Sequence, residues 1–124
     1  MRIEHRDGLL FTSIIIVYQG QTKQIDNIVI DTGASHTLIS QDIVDDIGIR
    51  VSLDDDVVAS FGIGGKEHAF VKIIDGIQVG DYKFSNISLD FTAIPYTDIN
   101  GLLGLDILMN AGFVIDLKEL IMHL

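Results

Sequence analysis

The sequence NIVIDTGASHTLIS, residues 27–40, places the strongest constraint on how this chain can fold. Its apolar start predicts a buried strand, and that strand ends abruptly in Asp31-Thr32-Gly33. An isolated carboxylate is costly to bury, so the Asp31 side chain is not expected to lie in the core as those of the preceding residues do. The chain must therefore hold the Asp31 carboxyl group at a surface, directly where the strand ends.

Asp-Thr-Gly is also the composition of an ordinary turn, and the tripeptide alone fits that reading equally well. Gly33 lets the backbone turn sharply, and the Thr32 hydroxyl can bond back to the main chain. A turn between polar strands needs neither Ile-Val-Ile before it nor Leu-Ile after it. The apolar frame therefore favours a rigidly held functional carboxyl group.

Length and composition narrow the classes of protein. The chain has 124 residues, which fits a single domain over residues 1–124. It contains no cysteine, which excludes disulfides and thiolate metal sites. Its formal charge of −10 argues against nucleic-acid binding through a basic face. A dimer would carry twice that charge, which favours neutral or basic substrates.

The N-terminal region has an apolar run at residues 9–17 after two arginines, as a signal peptide would. No small-residue cleavage site follows, and the run is too short to span a bilayer. Its β-branched residues favour a buried strand. We therefore expect a cytoplasmic protein that does not associate with membranes.

The rest of the sequence is rich in short strands separated by turn signals, with no linker to divide it. This predicts an all-β fold with one or two short helices, arranged as a small closed β-barrel. A type II′ hairpin is expected at Gly80-Asp81. The other predicted strands are residues 9–17, 24–30, 57–61, 69–74, 113–117 and 120–124. One helix is expected between Ser40 as N-cap and Gly48, and another between Gly104 and Gly112.

A glycine-rich segment, SFGIGGKEHAF, occupies residues 60–70. Gly62, Gly64 and Gly65 surround the single apolar Ile63 between two predicted strands. This favours a hairpin whose tip brings backbone amides and one apolar side chain over a ligand, although a plain turn would read the same. A phosphate-binding loop is excluded, because no Lys-Ser/Thr follows and no helix begins after it.

A second segment, INGLLGLDIL at residues 99–108, is similar to the first in outline. An apolar strand again ends at a glycine, Gly104, and a short helix follows, but no Asp stands where Asp31 would be. Weak internal similarity of this kind suggests a duplicated half-domain. Asp106 is expected to cap the helix.

Together these three segments resemble the retropepsin-like aspartic proteases, which include the retroviral proteases and single-domain bacterial and cellular relatives. The match covers most of the chain and implies an acid-protease barrel that forms half of a two-fold symmetric active unit. The matching residues are Asp31-Thr32-Gly33-Ala34-Ser35, the flap tip Gly62-Ile63-Gly64-Gly65, and Leu102-Leu103-Gly104 with Asp106.

The resemblance implies an aspartic endopeptidase that works as a homodimer on a peptide or protein substrate, without a cofactor. Because the chain has one Asp-Thr-Gly, Asp31 of each subunit would meet on the two-fold axis and activate a water. Thr32 would lock the two loops together and Gly33 would offer its backbone to the substrate. The flap would close over an extended peptide, with Ile63 covering it.

The pocket walls follow from the same resemblance. Ile30 precedes the catalytic loop, and the family places its pocket loop and strand at Pro95, Tyr96, Ile99 and Leu102. These residues would form an apolar cleft. A role in the core or in a surface loop stays equally open for Tyr96.

Two positions beside the catalytic Asp depart from the family pattern. Ser35 stands where retroviral members often carry an Asp that anchors the substrate backbone, so we expect a weaker anchor. Ala34 stands where two-domain pepsin-like relatives have a Ser that hydrogen-bonds the catalytic carboxylate. We therefore expect activity nearer neutral pH. The apolar C-terminal residues 119–124 are expected to supply an intersubunit sheet.

No metal site is predicted. Asp54, Asp55 and Asp56 lack the spacing of a calcium loop, and the four histidines lack metal-ligand spacing. Two other functions stay open. A non-catalytic retropepsin-like module for dimerisation or peptide binding would tend to lose Asp31, Thr32 or the flap glycines. A ligand-binding β-barrel would leave the apolar frame of Asp31 unexplained.

Overall fold

Ten strands and two short helices follow one another in the computed structural model, which describes residues 1–62 and 65–124, without the side chains of residues 60–67. The helices are α1 (Gln41–Val44), continued by a 3-10 turn (Asp45–Ile47), and α2 (Leu105–Ala111). The strands are β1 (Glu4–Arg6), β2 (Leu9–Tyr18), β3 (Gln21–Ile30), β4 (Leu38–Ser40), β5 (Val57–Gly62), β6 (Gly65–Val79), β7 (Tyr82–Thr92), β8 (Gly101–Leu103), β9 (Val114–Asp116) and β10 (Ile121–His123).

Six of these strands form a closed ring. They are hydrogen-bonded in the order β2-β3-β8-β4-β7-β6, and β6 returns to β2 through pairs such as Ile16 with Ile77. β1 extends the sheet beside β2, and β5 extends it beside β6. The mainly-β fold with two short helices is confirmed, in the form of a ring of strands rather than a regular barrel.

The interior of the ring is filled mainly by isoleucine. β-Branched side chains pack well on a pleated surface, and here they meet from strands on all sides of the ring. The largest fully buried side chains include Ile14, Ile16, Ile25, Ile28, Ile39, Ile74, Ile77, Leu89, Phe91, Leu103 and Ile107. This core holds the ends of β3 and β8 side by side.

A smaller buried cluster lies on the outer face of the ring. Directly paired residues of neighbouring strands point to the same face, and Val29, Leu102 and Leu38 form such a row across β3, β8 and β4. The other buried members of this outer cluster are Phe11, Ala34, Ala69 and Ile99. The loop that follows β3 therefore rests on a small apolar platform of its own.

The helix and hairpin ends follow the predicted glycines. Gly48 and Gly112 adopt left-handed conformations, with φ of 87° and 72°, and end the two helical segments. Gly80, with φ of 59°, joins β6 to β7 as expected. No helix in the described residues has the length and apolar character needed to cross a bilayer.

The C-terminal strand β10 lies between two segments of its own chain. β9 pairs with one edge, and residues 1–3 pair with the other, where the Met122 amide donates to the Met1 carbonyl at 2.8 Å. Arg2 and Ile121 form an antiparallel bridge there. The expectation that residues 119–124 supply an intersubunit sheet is therefore wrong, because both edges of β10 are already paired within the chain.

Candidate active site

Asp31 lies where β3 leaves the ring. Its amide donates to the Leu103 carbonyl at 2.9 Å, so pairing with β8 continues up to this residue. Its carboxylate Oδ1 accepts the Gly33 amide at 2.9 Å, and its carbonyl accepts the Ala34 amide at 3.2 Å. These bonds close a tight turn that fixes the position of the carboxyl group.

The apex of this turn faces solvent. Thr32, Gly33 and Ser35 are exposed and Asp31 is half-buried, whereas the Ala34 side chain is packed into the outer cluster. The second carboxylate oxygen of Asp31, Oδ2, makes no hydrogen bond to another described residue. One oxygen of the carboxyl group is thus held, and the other is open to a ligand.

The second glycine segment passes directly behind this turn. The Leu105 amide donates to the Ala34 carbonyl at 2.8 Å, and the Asp106 amide donates to the Ser35 carbonyl at 3.2 Å. A Cβ atom on Gly104 would lie 2.8 Å from the Ala34 carbonyl oxygen and 2.7 Å from the His36 carbonyl carbon. Only glycine allows the two backbones to approach this closely.

Asp106 fixes the far end of the Asp31 loop. Its two oxygens each lie 3.0 Å from the Thr37 amide, and Oδ1 also accepts the Thr37 hydroxyl at 2.7 Å. The same hydroxyl oxygen accepts the Gly104 amide at 3.0 Å. Thr37 is fully buried, so these bonds are shielded from water. Thr37 and Asp106 therefore join the two glycine segments through side chains.

The sequence did not predict this role of Thr37, and it predicted a helix-capping role for Asp106. Asp106 is not the N-cap of α2, which is Gly104, but it lies in the first turn and its Oδ1 accepts the Ile107 amide at 2.9 Å, so it bonds one helix-terminal amide from a different position than expected. The similarity between the two glycine segments was only a coarse signal, because it predicted two related turns but not which side chains would join them.

Comparison with known proteins assigns the family. Residues 21–110 match the family model described as "gag-polyprotein putative aspartyl protease". The chain belongs to this aspartyl protease family. Its fold is similar to the crystal structure of a retropepsin-like aspartic protease from Rickettsia conorii, with a TM-score of 0.68 and 20% identity. That match covers 98% of this chain and 86% of the other. A search of curated proteins finds no match.

The other predicted site residues of this retropepsin-like domain have different surroundings. Leu102 and Ile99 belong to the outer cluster beside Ala34. Ile30 points into the ring and is packed in the main core, which speaks against its predicted place in a pocket wall. Pro95 and Tyr96 line a cavity of about 270 Å³ between their loop and α1.

The hairpin that was predicted to form a flap is described up to its tip. Gly62 pairs with Gly65 at the end of the β5–β6 hairpin, which has the predicted position in the chain. Ile63 and Gly64 lie outside the described residues. The base of the hairpin reaches the outer cluster through Ala69, whose partner in β5 is Val58. The hairpin is thus attached to the same face as the Asp31 loop.

Two carboxyl groups near the base of the β5–β6 hairpin have opposite pKa shifts. The Lys72 ammonium, 2.9 Å from Asp55, lowers the pKa of that carboxyl group. Burial raises the pKa of Asp90; His36 partly opposes this shift, and Asp106 adds to it. Among the described residues, no group of three or more His, Asp and Glu side chains is arranged to hold a metal ion.

Proposed function

We propose that this chain is an aspartic endopeptidase that is active as a homodimer. The observation that carries the proposal is the Asp31 carboxyl group, which is fixed at an exposed turn with Oδ2 open. Membership of the aspartyl protease family supports it. Catalysis of this class needs two carboxyl groups and one chain offers one such turn, so a second copy would supply the other.

The two Asp31 carboxyl groups would lie roughly 3 Å apart and share one proton, because two negative charges at that distance repel strongly. The ionised carboxylate takes a proton from a water held between them, and the water oxygen bonds to the scissile carbonyl carbon. The protonated carboxyl group gives its proton to the carbonyl oxygen. The carbon–nitrogen bond then breaks, the nitrogen takes a proton, and a carboxylic acid and an amine leave.

The remaining residues would position the substrate. Thr32 would join the two loops across the axis, and the exposed backbone of Gly33 would bond the peptide. Ala34 and Ser35 support the loop through their carbonyl bonds to α2. The flap tip, Gly62-Ile63-Gly64-Gly65, would pair with an extended peptide and exclude water. Leu102 and Pro95 would contribute to the apolar walls of the substrate cleft.

The test compares the full-length wild-type chain with Asp31→Asn on a library of peptides, with and without pepstatin. Wild-type cleavage that pepstatin blocks and that Asp31→Asn lacks is the expected result. Equal behaviour of the two proteins contradicts the enzyme proposal, and peptide binding without cleavage favours the non-catalytic module. Sedimentation tests the dimer, since a strict monomer at high concentration excludes a shared pair of carboxyl groups.

The cytoplasmic location stays a prediction.

A further inference from the structure

Asp90 occupies an unusual place on the outer face of the ring. β7 lies between β4 and β6, and Asp90 is paired directly with Leu38 on one side and Val71 on the other. Leu38 is in turn paired with Leu102, so the Asp90 side chain continues the row that carries the outer cluster. A carboxylate thus follows two leucines in an apolar row.

Among the described residues, the Asp90 carboxylate has no hydrogen-bond or ion-pair partner. Asp90 is half-buried, yet its side chain makes no hydrogen bond or ion pair with another described residue. The titratable groups that act on it are those of His36, on the exposed loop, and Asp106, which is bonded to Thr37. A partly buried charge without a partner is unfavourable, and its pKa is raised by that burial.

We propose that Asp90 is a specificity-determining residue, which binds a lysine or arginine side chain of an extended peptide at the outer face of the ring. This inference rests on the proposed peptidase function and names its substrate class. Val71, which is half-buried on the same face, would contact the methylene stem of the bound side chain, and the Asp90 carboxylate would accept hydrogen bonds from its ammonium or guanidinium group.

The distance between Asp90 and Asp31 suits a peptide. Measured along the sheet, the two residues are separated by three strand spacings and a short step along the strands, roughly 15 Å, and the curvature of the ring makes the direct distance shorter. An extended peptide advances about 3.3 Å per residue, and a lysine side chain adds roughly 6 Å. A basic residue two or three positions from the scissile bond can therefore reach Asp90 while the bond lies over Asp31.

Charge favours the same class of substrate. The chain has a formal charge of −10, so a cationic peptide is attracted from a distance. Lys72 cannot serve as a partner for Asp90, because it is bonded to Asp55 and is paired with Leu89, on the opposite face of the sheet. A cation from the substrate would thus complete a site that the chain leaves open.

The experiment uses peptides that differ at one position, with Lys, Arg, Met, Gln or Glu at each place within three residues of the cleaved bond. kcat/KM is measured for the wild type, Asp90→Asn and the control Asp81→Asn, which removes the same charge from an exposed turn. At one position the wild type should prefer Lys or Arg over Met by about tenfold. Asp90→Asn should reduce that ratio to about one, whereas Asp81→Asn should keep it.

A binding measurement separates this inference from the function on which it rests. Fluorescence anisotropy with Asp31→Asn should show about tenfold tighter binding of the Lys peptide than of the Met peptide. The double variant Asp31→Asn/Asp90→Asn should bind the two peptides equally. An equal Lys-to-Met ratio in wild type and Asp90→Asn overturns the inference while leaving the peptidase intact. Absence of cleavage together with absence of binding overturns both.

Discussion

The two glycine segments of this chain have the same outline and use their carboxyl groups in opposite ways. Each begins with a strand of the ring and ends in a turn that contains a glycine. In the first, Asp31 has one oxygen bonded to the Gly33 amide and the other open at an exposed apex. In the second, Asp106 is bonded to the amide and hydroxyl of Thr37 and to the Ile107 amide.

The difference shows that the same local fold can hold one carboxyl group available for chemistry and use the other to stabilise the structure around it. A carboxylate whose lone pairs are occupied by buried donors cannot act on a substrate, but it fixes the groups that surround it. A carboxylate with a free oxygen on a rigid turn is available for proton transfer. The second segment therefore holds the first in place, and five substitutions test how far this division extends.

The largest effect is expected at Asp31. Asp31→Asn keeps the shape of the side chain but removes the base, so peptide cleavage should fall by about 10⁴-fold. The free energy of unfolding should change by less than about 0.5 kcal/mol, since the turn is exposed. Paired activity and urea-unfolding measurements check this. A large loss of stability would mean that Asp31 also supports the fold, and would contradict the division of roles between Asp31 and Asp106.

A methyl group on Gly104 tests the close approach of the two segments. Gly104→Ala would push its Cβ against the Ala34 and His36 carbonyl groups, at 2.7–2.8 Å, and should cost about 3 kcal/mol of unfolding free energy. Gly8→Ala is the control, because its Cβ meets nothing within 4 Å and its positive φ alone should cost about 1 kcal/mol. Equal losses for the two variants would contradict a packing role for Gly104.

The Thr37 hydroxyl tests the side-chain link. Thr37→Val preserves the shape but leaves the buried Gly104 amide without its acceptor, so about 2 kcal/mol of stability should be lost. Thr22→Val, on an exposed position of β3, should change stability by less than about 0.5 kcal/mol. Thermal unfolding of both variants gives the comparison. A neutral Thr37→Val would show that backbone contacts alone hold the loop.

Ala34 tests how the loop sets the pH range of the proposed activity. Ala34→Ser introduces the serine that pepsin-like relatives have at this position, and a hydrogen bond from it to the proposed catalytic Asp31 should move the activity profile toward acid by about one pH unit. The wild-type profile of kcat/KM should have its maximum nearer neutral pH. A flat wild-type profile from pH 4 to 8 would contradict this expectation.

The smallest effect concerns Asp90, which has neither a buried donor nor a role at the reacting bond. Burial raises the pKa of Asp90 in the folded chain above 3.8, its ordinary value. The stability that Asp90 contributes is therefore fully present below the pKa it has in the unfolded chain, and is lost as the pH rises through the pKa it has in the folded chain. Asp90→Asn should therefore be more stable than wild type at pH 7 by less than about 1 kcal/mol, with no difference near pH 3. Unfolding at both pH values checks the sign.

Much of this arrangement could be predicted from short sequence patterns. The apolar frame of Asp31, the helix-ending Gly48 and Gly112 and the Gly80 turn all act through local conformation, which the sequence expresses directly. Three features could not be predicted. They are the Thr37–Asp106 link, the inward direction of Ile30, and the lack of a hydrogen-bond partner for Asp90 among the described residues. Each depends on which strands become neighbours in the ring, and the relevant partners lie far apart along the chain.

The pairing of β10 with residues 1–3 and β9 has a consequence for assembly. Within one chain, β9, β10 and residues 1–3 already pair without strands from a second copy. In the proposed homodimeric peptidase, monomer and dimer would then be two folded forms in exchange. At low concentration the rate of cleavage would rise with the square of protein concentration, so the amount of protein made would set the activity.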